Sequence, residues 1–432
     1  MSEWAKVRLK DIAEIKIGGT PSRTISAYWA SEGQDGHQWC AISDLKGRYI
    51  SETKERITDS GVINSNVKLL NAGSFVMSFK LSIGRGAILK SPMYTNEAIA
   101  GFESKGAINS DFLYYVLPQA ALRSVTDVAV KGATLNKESL GNIVLSIPAS
   151  ESQQGCIANI LQTIDEAIEK TEQLIEKYQQ IKAGLMNDLF TRGIGADGKL
   201  RPPRAQAPEL YHKTPIGWIP RDWDCELLDK VAVRGSGHTP SKSFPEYWDG
   251  GVKWISLADS HRLDKLYISE TQFEISELGL QNSSAILHPP GIVVLSRDAG
   301  VGKSAITKAP MAVSQHFMCW RCDEKRMHNV FLYYWLQHNK RYFENIAMGS
   351  TILTIGLSYF KKLKIGVPSE FDEQKTIASS LLALEGKIFS MQSDLAKKKE
   401  VKSGLMHDLL TGKVSVSADL PVEPASPEEG AA

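Results

Sequence analysis

Two stretches of the chain carry apolar residues in alternating steps of four and three. The first holds Ile157, Leu161, Ile164, Ile168, Ile175, Leu185 and Leu189, with Thr171 and Tyr178 in the same register. The second holds Ile377, Leu381, Leu384, Ile388, Met391, Leu395, Leu405 and Leu409. This spacing is a heptad seam, and each helix of ~40 residues would be ~60 Å long at 1.5 Å per residue. The seam predicts pairing of Ile157, Leu161, Ile164, Ile168 and Ile175 with Ile377, Leu381, Leu384, Ile388 and Leu395. Lys182, Lys398 and Lys402 fall in the same seam, so its C-terminal third is expected to be loosely paired.

The residues ahead of each seam read differently. Short β-like runs, such as Ser74–Phe79, Ile143–Ile147, Gly291–Ser296 and Leu363–Val367, surround one clear helix. That helix should start at Asn109 in one stretch and Asn329 in the other, both good N-cap residues. It carries an aromatic stripe of Phe112, Tyr115, Phe331 and Tyr334. Pro148 and Pro368 close the last strand of each stretch. Ser150 with Gln153 then forms a capping box for the long helix, and Ser369 with Asp372 forms a poorer one.

These similarities are one long repeat. Thr20-Pro21-Ser22-Arg23 followed by Tyr28-Trp29 returns as Thr239-Pro240-Ser241-Lys242 followed by Tyr247-Trp248, 219 positions on. Trp39 with Asp44 returns as Trp254 with Asp259, and Ile50-Ser51-Glu52-Thr53 returns unchanged from Ile268. Gly84-Arg85 matches Gly302-Lys303, Phe112–Tyr115 matches Phe331–Tyr334, and Gly184-Leu185-Met186 matches Gly404-Leu405-Met406. A period this long means tandem duplication, since solenoid repeats are far shorter. The expected fold class is α+β: two similar mixed modules at residues 1–150 and 223–368, with long helices at 151–191 and 369–414. Residues 192–222, rich in Gly and Pro, read as a linker. Residues 415–432 offer little to bury and read as a disordered tail.

Composition narrows the function classes. The 432 residues are 42% hydrophobic and 23% charged, which suits a globular chain with a real core. The net charge is +1, but the tail after Lys413 holds four carboxylates and no base, leaving the body at +5. No apolar run approaches the ~18 residues of a membrane span, and the first residues form no apolar leader. The expectation is a cytoplasmic protein. Cys40, Cys156, Cys225, Cys319 and Cys322 are odd in number and scattered, the pattern of reduced thiols.

Three candidate chemistries weaken on inspection. Gly300-Val301-Gly302-Lys303-Ser304 ends like a phosphate-binding loop, yet Arg297 stands where the motif needs its first glycine. A glycine-rich turn between strands fits better. Cys319-Trp320-Arg321-Cys322 lacks the second ligand pair of a zinc site, so no metal is expected. No catalytic set recurs in both copies, and the chain is expected to be non-catalytic by itself. Both copies do share basic residues beside glycines and aromatics, the type that neutralises phosphates or reads guanine edges. Arg23, Lys80, Arg85, Lys131, Lys242, Arg297 and Lys303 are therefore the candidate DNA contacts. Trp29, Trp39, Trp248 and Trp254 are expected in the core.

From Val7 to Val416 the sequence resembles the specificity subunit of type I restriction-modification enzymes. The resemblance rests on Gly19-Thr20-Pro21-Ser22 and His238-Thr239-Pro240-Ser241 near the start of each module. It also rests on Pro148 with Gln154 and Ile157, on Pro368 with Gln374 and Ile377, and on Gly217-Trp218-Ile219-Pro220. The helix ends Gly404–Val414 and Gly184–Arg192 complete it. The family implies a non-catalytic reader of double-stranded DNA with two target recognition domains, each taking one half of a split, asymmetric site. It further implies antiparallel spacer helices, two docked methylation subunits, and motor and nuclease subunits. Those partners would supply the uses of S-adenosylmethionine, ATP and Mg²⁺. A methylation-only system with an orphan or phase-variable specificity subunit fits the same residues. Two more distant readings are a coiled-coil scaffold and a nucleotide-binding protein without a DNA role.

Overall fold

The computed structural model describes residues 4–416, except 32, 81, 130–134 and 350–352. The chain divides into two compact units, one of residues 1–172 and 393–432, the other of residues 173–392. Each unit thus combines one module with half of each long helix.

The module of the first unit is built on a five-stranded sheet. Its strand order is Ala13–Ile17, Ile99–Ser104, Phe75–Ser78, Gly86–Leu89, Tyr49–Ile50. The second unit repeats this order with Ala232–Ser236, Phe317–Cys322, Val293–Ser296, Ser304–Thr307 and Tyr267–Ile268. Only the last pair of each sheet is parallel. The central strands are buried on both faces, and the period of two decides which core each residue joins. Phe75 and Met77 pack with Phe112, Tyr115 and Ile157, whereas Val76 packs with Leu70, Leu89 and Met93. Val293 and Leu295 likewise face Phe331 and Tyr334, while Val294 faces Met311 and Val313.

A second, three-stranded sheet sits in each unit: Glu55–Ile57, His37–Cys40 and Tyr94–Thr95 in one, Phe273–Ile275, Trp248–Ile255 and Ala312–Val313 in the other. A two-stranded ribbon ends each module, Trp4–Arg8 with Val144–Pro148 and Trp223–Leu227 with Lys364–Pro368. The segment read as a linker is ordered. It contributes the hairpin Tyr211–Thr214/Gly217–Pro220 and a buried Arg201, which pairs with Glu373 at 2.7 Å and Asp222 at 2.5 Å.

The aromatic-striped helix spans Ser110–Ala129 in the first unit. Asn109 caps it by accepting from the Phe112 amide at 3.0 Å. The second helix, Asn329–His338, departs from expectation. Asn329 lies inside it and spends its side-chain amide on the Gly291 carbonyl, so His328 stands at the N-cap without a side-chain cap. The position equivalent to Asn109 is thus His328, as shown by a buried glutamine in each unit. Gln154 accepts from the Asn109 amide at 2.8 Å and donates to Ala107 and Pro148. Gln374 accepts from the His328 amide at 2.9 Å and donates to Arg326 and Pro368. Each glutamine ties the strand end and the module helix to the start of a long helix. The expected capping boxes are incomplete: Ser150 receives the Gln153 amide at 3.4 Å, but Gln153 donates its side chain to Val416, and Ser369 turns to Asp222 and Asp224.

The long helices are Glu151–Thr191 and Phe371–Leu410. They run antiparallel, because partner numbers fall on one as they rise on the other. Asp165 pairs with Lys402 at 2.6 Å and Glu172 with Lys399 at 2.7 Å in the first unit; Lys182 pairs with Glu385 at 3.0 Å in the second. Ile157, Leu161, Ile377 and Leu381 are fully buried, Ile175 and Ile388 nearly so, and Ile164, Ile168, Leu384 and Leu395 are half-buried. Leu409 and Leu410 join the core around Ile157 and Leu161, and Leu189 and Phe190 join the one around Ile377 and Leu381. The expected loose pairing at the seam lysines is not what the structure shows. Lys182 and Lys402 meet carboxylates placed one residue after Leu384 and Ile164, and Lys398 donates to the Thr171 hydroxyl at 3.0 Å. Those carboxylates are held in turn: Tyr115 donates to Asp165 at 2.7 Å and Tyr334 to Glu385 at 2.6 Å. Burial, then the neighbouring carboxylate, raises the ionisation of both phenols well above the ordinary tyrosine range, so both remain donors.

Candidate nucleic-acid interface

In the second unit the Thr-Pro-Ser segment forms one wall of a cleft against the three-stranded sheet, and in the first unit the same segment lies against the equivalent sheet. It lies tightly on the strand beneath: a Cβ at Gly18 would sit 2.2 Å from the Thr95 and Asn96 carbonyl oxygens, and one at Gly237 1.5 Å from that of Val313. Only glycine permits this approach. Two tryptophans per unit then hold the segment. Trp39 donates to the Gly19 carbonyl at 2.9 Å and Trp29 to that of Ser22 at 3.2 Å. Trp254 and Trp248 do the same to His238 and Ser241, at 3.1 and 3.3 Å. The rings meet edge to face, with centroids 5.0 Å apart in the first unit and 5.2 Å in the second. Trp39 and Trp254 are buried as expected; Trp29 and Trp248 are only half-buried.

On this shared frame the two units place different groups. In the first, the Arg23 guanidinium lies 3.7 Å above the Trp29 ring and forms a two-pronged pair with Glu55. Thr20 donates to Glu97. These contacts, from Arg23 on Glu55 and from Thr20 on Glu97, hold both carboxyls below their ordinary range, so at neutral pH both are acceptors only. Lys80 is exposed and its charge reaches Glu97. The charges of Arg23 and Lys80 thus both reach Glu97.

In the second unit Glu55 is replaced by Phe273 and Glu97 by Gln315. Here a cleft of about 690 Å³ opens, and its walls include Lys242, Trp248, Phe273, Ser314, Gln315 and His316. Gln315 accepts from the Thr239 hydroxyl at 2.5 Å, which fixes its oxygen and leaves its NH₂ as donor. His316 is oriented by Asp298, whose carboxylate lies 2.7 Å from Nδ1 and also accepts from Thr354. The hydroxyl of Ser314 is buried and has no partner. Lys242 is exposed. Among these groups, Glu55, Glu97, Gln315 and His316 escape a search for shared basic residues because they differ between copies. Difference at positions inside a shared frame is the signal that would have found them.

The remaining candidates lie elsewhere. Arg297 is half-buried, 3.4 Å from the Thr354 hydroxyl and 3.6 Å from the Asp298 carboxylate, and its amide donates to the His316 carbonyl. Arg85 is exposed in the turn after Phe75–Ser78, but that turn packs on the module helix near Pro118, beside Lys46 and Lys402. Lys303 donates to the Ser260 carbonyl at 3.1 Å. Lys131 lies outside the described residues. The glycines around Lys303 form a turn, with Gly300 and Gly302 at φ +113° and +86°, and Ser304 opens a strand rather than a helix. Cys319 and Cys322 point to opposite faces of their strand, one into each core. Burial pushes both thiols up to about 12. No group of three or more His, Cys, Asp or Glu residues fit to hold a metal occurs among the described residues, nor any helix long and apolar enough to cross a membrane.

Two similar modules, each with a tryptophan-held Thr-Pro-Ser segment beside polar side chains and joined through antiparallel helices, define a bipartite recognition protein. The model of the type I restriction modification DNA specificity domain matches residues 1–180 and again 220–400, so the chain belongs to that family. It is a sequence-recognising specificity subunit, the non-catalytic component of type I restriction-modification complexes. It is 23% identical to the type I restriction enzyme MjaIX specificity subunit of Methanocaldococcus jannaschii, over 96% of this chain and 94% of the relative. Among solved structures, it is similar to a chain from the assembly of a type I restriction-modification system (TM-score 0.58, 15% identity, 95% of this chain and 98% of the other). It is also similar to the S subunit from M. genitalium (TM-score 0.54, 13% identity, 94% and 96%).

Proposed function

We propose that this chain reads a split, asymmetric target in double-stranded DNA, one half-site per module. The observation that carries the reading is a single frame built twice with unlike side chains around it. Identical sites would suit a palindrome; unlike sites suit two different half-sites. In this reading the antiparallel helices set the distance between half-sites and dock two methylation subunits, whose number matches the twofold repeat. Those subunits supply S-adenosylmethionine and adenine methylation, and motor and nuclease subunits add ATP- and Mg²⁺-dependent cleavage. The place of action is the cytoplasm, where the DNA is. The experiment is to express the chain with its methylation subunits and map methylated adenines across the genome. One two-part motif with a constant gap, lost when the chain is deleted, is expected. Methylation of a continuous palindrome, or methylation that persists without the chain, would overturn the reading.

A further inference from the structure

The two sites differ in hydrogen-bonding sign at equivalent positions. Glu97 and Gln315 follow equivalent strands, Tyr94–Thr95 and Ala312–Val313, and each accepts from the threonine of its Thr-Pro-Ser segment. The first therefore presents a carboxylate and no donor, the second an amide NH₂. Around them, the first site adds a second carboxylate, Glu55, already committed to Arg23, and the exposed Lys80, whose charge falls on Glu97. The second adds the unpaired ammonium of Lys242 and the apolar face of Phe273, which is 46% exposed. His316 stands beside Gln315, its ring set by the Asp298 carboxylate.

Base edges in the major groove offer a matching contrast. Cytosine N4 and adenine N6 are amino donors, whereas guanine shows two acceptors, O6 and N7. A carboxylate accepts from an amino group and repels O6 and N7; a Lys ammonium with an amide NH₂ does the reverse. We infer that Glu97 and Gln315 are specificity-determining residues, Glu97 selecting an amino-bearing base in one half-site and Gln315, with Lys242, selecting guanine in the other. This rests on the reading of the chain as a two-part DNA reader. The tryptophan frame supports it physically, since a discriminating group must be held to within a few tenths of an ångström while its neighbours change. The cleft of the second unit also holds the buried, unpartnered Ser314 hydroxyl, a polar group left without a protein contact where a ligand would supply one.

The test exchanges the two groups in the full chain assembled with its methylation subunits. Glu97→Gln and Gln315→Glu change one atom group each and keep the side-chain length. Each should change the preferred base at one position of one half-site, by roughly ten- to a hundredfold in preference, and leave the other half-site and the gap intact. Methylated adenines are mapped for wild type and both variants. A variant that no longer methylates is examined by selecting bound duplexes from a randomised pool, which reports base preference without catalysis. An unchanged motif in both variants, or an equal loss of affinity for every sequence, removes these residues from base selection. If the wild-type complex itself shows no two-part motif, it is the DNA-reading function that fails, not the assignment within the cleft.

Discussion

Replacing Gln374 by leucine tests how the module of the second unit is fastened to its long helix. Gln374 is 1% exposed and joins three backbone groups. It accepts from the His328 amide at 2.9 Å, donates to the Arg326 carbonyl at 2.9 Å, and reaches the Pro368 carbonyl at 3.5 Å. Leucine fills a similar volume but leaves all three without this partner. The contact at 3.5 Å is long for a hydrogen bond, so the other two dominate. A buried polar group stripped of its partner costs about 1–3 kcal/mol, giving roughly 2–6 kcal/mol for the two. The more apolar side chain returns about 1 kcal/mol of burial, leaving a net loss of roughly 1–5 kcal/mol. The unit of residues 173–392 is of a size for which 1 kcal/mol shifts the melting temperature by about 2–4 °C. Calorimetry should therefore show its transition lowered by roughly 2–20 °C. Amide exchange followed by mass spectrometry should show faster exchange at His328 and the first turn of Asn329–His338. Gln179→Leu, at an exposed position of the neighbouring long helix, should change stability by less than about 0.5 kcal/mol. A shift under about 2 °C with undiminished protection at His328 would refute the reasoning that this glutamine is a structural clamp.

Other expectations follow from the seam, the cleft and the thiols. Lys402→Met and Lys182→Met should each cost about 1–2 kcal/mol by leaving Asp165 and Glu385 with a tyrosine donor but no cation, whereas Lys399→Ala, at an exposed pair, should cost under about 1 kcal/mol; urea denaturation compares them. Adding one heptad at both Gln173 and Ser393 lengthens the helices by ~10.5 Å, about three base pairs at ~3.4 Å each. The assembled complex should then methylate the same half-sites with a longer gap, and an unchanged gap would show that the helices are not the ruler. Lys242→Ala should weaken DNA binding with a salt slope lower by about one unit if its partner is a phosphate, or cost about 1–3 kcal/mol at one base position if it is a base; a binding titration over salt separates the two. Burial raises the thiols of Cys40, Cys319 and Cys322 to about 12 from an ordinary value near 9. Above pH 9 the unfolded chain ionises these thiols and the folded one does not, so their contribution to stability is full below pH 9 and declines as pH rises toward 12. Ellman titration of the native protein at pH 8 should leave all three unreacted until it unfolds.

Much of this architecture is written in one dimension. The heptad steps from Ile157 and Ile377 determine two long helices, because a stripe of that period has no other place to be buried. The period of two in Phe75–Ser78 and Val293–Ser296 determines strands with a core on each face. The repeat of Thr20-Pro21-Ser22 as Thr239-Pro240-Ser241 shows that the frame occurs twice. Local patterns suffice there because helix and strand periods depend only on near neighbours. The tertiary structure decided what depends on distant partners. It turned the seam lysines from defects into ion pairs, since Asp165 meets Lys402 only when the helices run antiparallel. It moved the N-cap of the second helix from Asn329 to His328, while Gly291, far away in sequence, takes the asparagine amide. It brought the charges of Arg23 and Lys80 to Glu97, packed the turn of Arg85 on the module helix, and spent Lys303 on the Ser260 carbonyl. It also put Glu97 and Gln315 beside the threonines of their segments. Those last two carry no motif, and their chemistry exists only where a folded strand sets a carboxylate in one unit and an amide at the same place in the other.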